Sequence, residues 1–306
     1  MKVLFAGTPA VALPSLDALI AAGHEIVAVL SRPDAPIGRK RVLTPSPVAA
    51  RAAELDLPVI KADKIDAEAA AAISAAAPDV AAIVAYGALI PASALTIPTH
   101  GWINLHFSLL PAWRGAAPVQ HAVINGDEVT GASTFLLEKG LDTGPVYGTM
   151  TETVHPTDTS SALLERLSHS GAVLLAQTLG GIDAGAITGI PQSGEITLAP
   201  KLGLEDGHVN WTQPALAINR RVRGVTSEPG AWTMLAGQRF KLGPVKLRSD
   251  VTNLAPGEVL VEAKTVLVGT GSHAVELADV QPSGKKLMKA MDWARGLANK
   301  EDVVFE

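Results

Sequence analysis

Asn104, His106 and Asp142 are the residues of this 306-residue chain whose types and spacing best fit chemistry. Asn104 and His106 lie two positions apart in "INLHFSLLP", and Asp142 stands within "GLDTG". On a strand, side chains at i and i+2 leave the same face, so the amide and the imidazole would project together. The apolar run at 102–105 predicts a buried strand, and Pro111 prevents it from continuing far. Asp142 has a glycine two residues to either side, on backbone free to make a close approach. Such a set offers a hydrogen-bond donor for a developing oxyanion, an acid/base, and a carboxylate to orient that base. It contains no nucleophile, and the chain has no cysteine. The attacking group would then come from a substrate, which points to group transfer rather than covalent catalysis.

Each residue also has a purely structural interpretation. A histidine in an apolar strand is more often a hydrogen-bonded core residue than a catalyst, Asn104 could satisfy backbone groups at a strand end, and Asp142 could be a turn former. A metal site could draw on His100, His106, His121 and Asp142. No helical HxxxH pair or other ligand spacing accompanies them, and no metal is expected. Chemistry alone supports a transferase or hydrolase site in an α/β domain.

The elements that must position this site alternate in the first half of the chain. Strands are predicted at 3–6, 25–30, 58–60 and 80–85. Between them lie a helix with Leu13, Leu16, Leu19 and Ile20 on one face, a helix over 48–55, and an alanine-rich helix over 67–76. Near-continuous apolar strands separated by helices indicate a parallel sheet covered on both faces. Ligands on such sheets bind at the carboxyl ends of strands, where Asn104, His106 and the loop after Tyr86 would lie. Gly7 follows the first strand, but "GTPA" lacks GxGxxG, so a dinucleotide site is not indicated. Strands at 132–137 and 146–149 and a helix over 161–179 complete the first domain. Residues 180–207 are rich in glycine and proline without a sustained period, as expected of a linker. One helix at 215–222 and five short strands, at 231–235, 239–247, 258–261, 266–268 and 274–280, suggest a small β-barrel. Residues 31–48 break the pattern with Pro33, Pro36, Pro45, Pro47 and the run Arg39-Lys40-Arg41. A long irregular loop there is either functional or a solvated charged turn.

Composition narrows the setting. The absence of cysteine removes disulfides and thiolate metal sites and fits a reducing compartment. The longest apolar run, 80–91, is too short to span a bilayer. The N-terminal run reaches Gly7-Thr8-Pro9 after four apolar residues, which favours a first strand over a signal peptide and a cytoplasmic protein. The net charge of −5 is uneven. Residues 1–200 carry 11 basic and 18 acidic side chains, whereas 201–306 carry 14 and 12. The second half is thus mildly basic, which suits either a weak polyanion surface or an ordinary solvated domain.

The motifs "FAGTP", "VAYGALIP" at 84–91, "INLHFSLLPAWRGAAPVQ" and "GLDTG" together strongly resemble the formyltetrahydrofolate-dependent formyltransferases. "RPDAPIGRKRVLTPSPV", "LAPKLGLEDGHVNW" and "QPSGKKLM" extend the likeness to the methionyl-tRNA branch, from Met1 to about Met291. The resemblance implies a Rossmann-like N-terminal domain (1–185), a linker (186–206) and an OB-like C-terminal tRNA-binding domain (207–306). It implies formyl transfer from 10-formyltetrahydrofolate to methionyl initiator tRNA by a monomer, with catalytic roles for Asn104, His106 and Asp142. Folate contacts would fall on Ser108, Leu109, Leu110 and Pro111 and on Tyr86, Gly87, Leu89 and Ile90. Contacts to tRNA would fall on Arg39, Lys40, Arg41 and Lys201. Two departures stand out: Phe107 replaces a residue that is commonly small, and Ala10-Val11 replaces an acidic–aromatic pair.

Overall fold

The computed structural model describes residues 1–38, 40–300 and 303–306. Its contacts divide the chain into two units: Met1–Gly115, Val129–Thr153 and Leu164–Leu198 form the first, and Ala116–Glu128, Val154–Leu163 and Ala199–Glu306 the second. This grouping differs from cuts near 185 and 206. Residues 116–128 and 154–163 cluster with the C-terminal part because helix Pro118–Asn125 packs on helix Ala215–Gly224. That first helix has no counterpart among the elements read from sequence, being short and half polar.

The first unit is built on a seven-stranded sheet. Its strands are β1 (Lys2–Gly7), β2 (Glu25–Ser31), β5 (Val59–Lys61), β6 (Val80–Val84), β7 (Trp102–His106), β8 (Val129–Leu136) and β9 (Val146–Thr153). The remaining pair, β3 (Ala35–Ile37) and β4 (Val42–Thr44), forms a separate hairpin where the proline-rich loop was expected. The sheet order is β5-β2-β1-β6-β7-β8-β9, parallel as far as β7 and antiparallel beyond it. Near-continuous apolar sequence is what a doubly covered parallel strand requires, and β1 and β6 are buried along almost their whole length. Helix ends carry local signals. Ser46 caps helix Pro47–Glu54 by accepting from Ala49 N–H, and Asp66 caps helix Ala67–Ala76 through Ala69 N–H. Trp102 is fully buried at the start of β7 and donates its indole N–H to Ala94 O at 2.8 Å, which anchors that strand.

The second unit contains β10 (Ala231–Leu235), β11 (Gln238–Leu242), β12 (Val245–Arg248), β13 (Val259–Val261), β14 (Val266–Val268), β15 (Ala274–Leu277), β16 (Asp279–Gln281) and β17 (Met288–Lys289). These form two antiparallel four-stranded sheets, β10-β11-β16-β17 and β12-β15-β14-β13. The expected five-stranded barrel is corrected accordingly. Two long predicted strands are each broken in two, at Gly243-Pro244 and at Ala278, where the chain passes from one sheet to the other. No closed barrel forms among the described residues. The shared core includes Trp211, Phe240, Trp293 and Phe305, with the Phe240 and Phe305 rings 5.0 Å apart. A second helix, Ala290–Arg295, joins the one that was expected. Among the described residues no helix is long and apolar enough to cross a membrane.

Candidate active site

β7 carries two of the three candidate residues and aims them together. In the antiparallel ladder with β8, Asn104 pairs with Phe135 and His106 with Ser133, so both side chains stand on one face. The His106 ring meets Phe135 edge-on at 6.3 Å. Asn104 is only partly buried, and among the described residues no protein group claims its side-chain amide. Leu105 and Phe107 point the other way, towards Gly171 of helix Ser160–Asp183. Phe107 therefore fills space under that helix and does not reach the face that holds Asn104 and His106.

His106 is 6% exposed and ends β7, at the edge where parallel strands present their carboxyl termini. Its Nε2 lies 2.9 Å from Trp113 O. A carbonyl can only accept, so in the neutral ring Nε2 carries the proton and Nδ1 keeps its lone pair. Nδ1 stands 3.8 Å from Asp142 Oδ2, beyond hydrogen-bond length, and that oxygen accepts from Gly115 N–H at 2.7 Å. The ring is thus fixed by a backbone carbonyl, and the carboxylate acts on it through charge. Burial pushes the imidazole below its ordinary value, while Asp142 and the Trp113 carbonyl pull it back up. Desolvation prevails, so the ring is neutral near pH 7 and poised to accept a proton.

Asp142 is 9% exposed and sits in the left-handed region, φ 49°. Trp113 is also left-handed, φ 58°. Paired departures of this kind cost on the order of 1–3 kcal/mol each and persist only where surrounding bonds impose them. The "GLDTG" glycines permit the turn sterically: a Cβ on Gly144 would overlap the Leu136 carbonyl oxygen. Trp113 N–H donates to Thr197 Oγ1 at 2.8 Å, and Arg114 N–H to Thr197 O at 2.9 Å. The glycine- and proline-rich segment expected to be a linker is therefore built into the first unit beside the site, up to Leu198.

The remaining candidates divide by orientation. Ser108 is fully buried, donates to Ala112 O at 2.6 Å, and accepts on its backbone oxygen from Ser133, so its side chain braces the loop. Leu109, Leu110 and Pro111 are half-buried, and the Leu110–Pro111 peptide is cis. Tyr86 is buried in the core with its hydroxyl donating to Ala62 O at 2.7 Å. Ile90 packs on the same core, whereas Gly87 and Leu89 are exposed. Thr8 Oγ1 donates to Tyr86 O at 2.7 Å, and Arg32 donates to Gly87 O at 2.9 Å. The first bond ties the ends of β1 and β6 together and the second the ends of β2 and β6, where the strand order reverses, the usual place for a ligand. Lys40 and Arg41 are exposed in the turn between β3 and β4, and Arg39 lies outside the described residues. Lys201 is exposed in the second unit. Among the described residues no three His, Asp or Glu side chains converge as metal ligands. Sequence reasoning missed the groups that hold the site: the Trp113 carbonyl and the Gly115 N–H, backbone atoms within the "INLHFSLLPAWRGAAPVQ" motif, and Gln192, which lies in no motif.

Residues 1–179 match the formyl transferase family, and residues 201–298 match the formyl transferase C-terminal domain. The chain is 71% identical over 306 residues to the methionyl-tRNA formyltransferase of Arthrobacter sp. (strain FB24), covering all of both chains. It is 72% identical, again over the full length of both, to that of Pseudarthrobacter chlorophenolicus. It is 58% identical to that of Streptomyces coelicolor, over 97% of this chain and 96% of the relative. In fold it resembles the methionyl-tRNA formyltransferase from Clostridium thermocellum, with a TM-score of 0.57 at 14% identity over 90% of this chain and 98% of that one. It also resembles an N-formyltransferase from Helicobacter canadensis, TM-score 0.68 at 15% identity over 92% and 99%. With both domains matched and identity near 70% over the full length of its relatives, this chain belongs to the methionyl-tRNA formyltransferase family.

Proposed function

We propose that this chain transfers the formyl group of 10-formyltetrahydrofolate to the free amino group of methionyl initiator tRNA, giving formyl-methionyl-tRNA, and that it works as a cytoplasmic monomer. The observation that carries this reading is one strand face holding an unclaimed amide and a neutral, buried imidazole beside a fixed carboxylate. The donor supplies a one-carbon unit at the formate oxidation level, attached as an amide to a nitrogen that departs. Asn104 donates a hydrogen bond to the formyl oxygen as negative charge gathers there. His106 Nδ1 accepts a proton from the attacking amine and later delivers one to the departing nitrogen. Asp142 stabilises the imidazolium formed between those steps. The residues around the site suit a flat pteridine: Leu109, Leu110 and Pro111 are half-buried and Leu89 is exposed, offering apolar surface. Ser108 and Tyr86 serve by shaping these loops. Arg39, Lys40, Arg41 and Lys201 are assigned to tRNA phosphates.

The test offers the purified protein 10-formyltetrahydrofolate with charged initiator tRNA or with small amine acceptors such as amino sugars linked to a nucleotide. Formyl-methionyl-tRNA is the expected product. Replacing Arg39, Lys40 and Arg41 with alanine should weaken tRNA binding and flatten its salt dependence by roughly 0.7 to 0.9 log units per lost phosphate contact. Donor binding should be unchanged. Formylation of the small acceptors alone, or an unaltered salt slope, would reject the tRNA assignment.

A further inference from the structure

Gln192 lies just beyond Ile190, in a segment without periodicity, yet its side-chain amide is fully engaged. Oε1 accepts from Arg114 Nε at 3.1 Å and from Nη2 at 2.7 Å. Nε2 donates to Asp142 O at 2.7 Å and to Gly144 O at 2.9 Å. Two donors and two acceptor sites are all a glutamine amide has, and the guanidinium fixes which end is oxygen. The group therefore has one orientation and joins two pieces of the site. One is the loop of Asp142. The other is the segment 113–115, whose Trp113 carbonyl holds the His106 ring and whose Gly115 N–H holds the Asp142 carboxylate.

Gln192 is itself held from both sides. Val146 and Ile190 exchange backbone hydrogen bonds of 2.8 Å each, which registers the segment against the start of β9. Further on, Thr197 takes hydrogen bonds from the backbone of Trp113 and Arg114. At the tip of the Asp142 loop Leu141 is exposed. Charge at Asp142 falls off with distance, so a shift of the loop alters what His106 feels without touching the ring itself.

We propose that Gln192 is a positioning residue for the formyl-transfer reaction, clamping the Asp142 loop to the Arg114 segment so that the carboxylate keeps its distance from His106. This inference rests on the formyl-transfer reading above. It requires no contact between Gln192 and either substrate.

The test compares the wild type with Gln192→Glu and Gln192→Ala. Glutamate would keep the Arg114 partner but turn an acceptor towards two carbonyl oxygens, while alanine removes the clamp and leaves room for water. Three readouts are taken: kcat and KM for formylation, the pH dependence of kcat/KM, and amide hydrogen exchange at Gly115 and residues 140–144. Both variants should lose about ten- to hundredfold in kcat, the range for groups that orient a reacting side chain from behind. KM for the donor should stay within about twofold, because uniform binding is untouched. Exchange at Gly115 should rise at least tenfold while Leu105 stays protected, which separates a loosened loop from a misfolded chain. In Gln192→Ala the acid limb of the pH profile should move to lower pH as the carboxylate drifts from the imidazole. Unchanged exchange at Gly115 would overturn the clamp, and loosened exchange with wild-type kcat and pH profile would overturn its role in the reaction. A wild type that forms no formyl-methionyl-tRNA would instead reject the reaction, an outcome that the exchange measurement tells apart.

Discussion

The two halves of the site are held in different ways. Asn104 and His106 sit on β7, a strand paired on both sides by β6 and β8 and anchored by a fully buried Trp102. Their spacing and common face are properties of the ladder, and disturbing them means disturbing the core. Asp142 sits on a loop in left-handed backbone, fixed by a few discrete hydrogen bonds from Gly115 and Gln192. Removing one such bond can shift the carboxylate while the fold survives. The strand half should therefore fail through chemistry or unfolding, and the loop half through misplacement.

Truncations on the strand give the largest expected effects. Asn104→Ala should lower kcat by about two to three orders of magnitude, the usual result of losing one oxyanion donor. His106→Ala should be at least as damaging. Donor affinity should change little in the asparagine variant, because that hydrogen bond strengthens only in the transition state. Steady-state kinetics with donor binding measured separately decides this, and near-normal turnover of Asn104→Ala would remove the amide from the mechanism.

Asp142→Asn probes the loop with the Gly115 N–H still satisfied. Where a carboxylate alone fixes the tautomer of its histidine, this exchange costs about 10⁴ in kcat. Here the Trp113 carbonyl fixes the ring, so a smaller loss, about ten- to hundredfold, is expected. The sign of the pH effect follows from the same geometry. Asp142 raises the imidazole against the lowering effect of burial, so removing its charge lowers it further. A neutral base is active above its pKa, and the acid limb of kcat/KM should shift to lower pH. A shift to higher pH, or a loss near 10⁴, would mean that Asp142 holds the ring directly.

The smallest kinetic effect is expected from Gly171→Leu, which acts on the strand from behind. A Cβ at Gly171 would already lie 3.1 Å from Leu105 and 3.5 Å from Phe107. A larger side chain should cost about 1–3 kcal/mol of stability, as overpacking commonly does. Thermal unfolding should show a lowered Tm while kcat of the folded fraction changes less than in Asp142→Asn. A kinetic loss larger than that of Asp142→Asn, with Tm unchanged, would show that β7 is as easily displaced as the loop.

Much of this architecture was legible in the residues. The apolar runs at 3–6, 25–30 and 80–85 announce parallel strands because a strand covered on both faces needs no alternation. Asn104 and His106 share a face for the simplest of reasons, the two-residue period of a strand. The C-terminal strands were harder. Their apolar content located them, but the breaks at Gly243-Pro244 and Ala278 depend on where each half finds a pairing partner. Helix Pro118–Asn125 escaped notice because its apolar stripe is short, and it is stabilised by packing on helix Ala215–Gly224.

The sequence by itself determined the parallel sheet, the strand that carries Asn104 and His106, and a loop able to bring Asp142 close. These follow from hydrophobic period, proline and glycine placement, and side-chain chemistry, all of which act over a few residues. Only the tertiary structure decided which group holds the imidazole, how far the carboxylate stands from it, and that Gln192 joins the two loops. Those outcomes depend on backbone carbonyls and N–H groups, which nearly every residue possesses and no side chain advertises. Trp113 and His106 are near neighbours in sequence, but Gln192 reaches Asp142 across 50 residues. Hydrogen bonds of that span are set by where the folded chain places its backbone, and a one-dimensional pattern carries no trace of them.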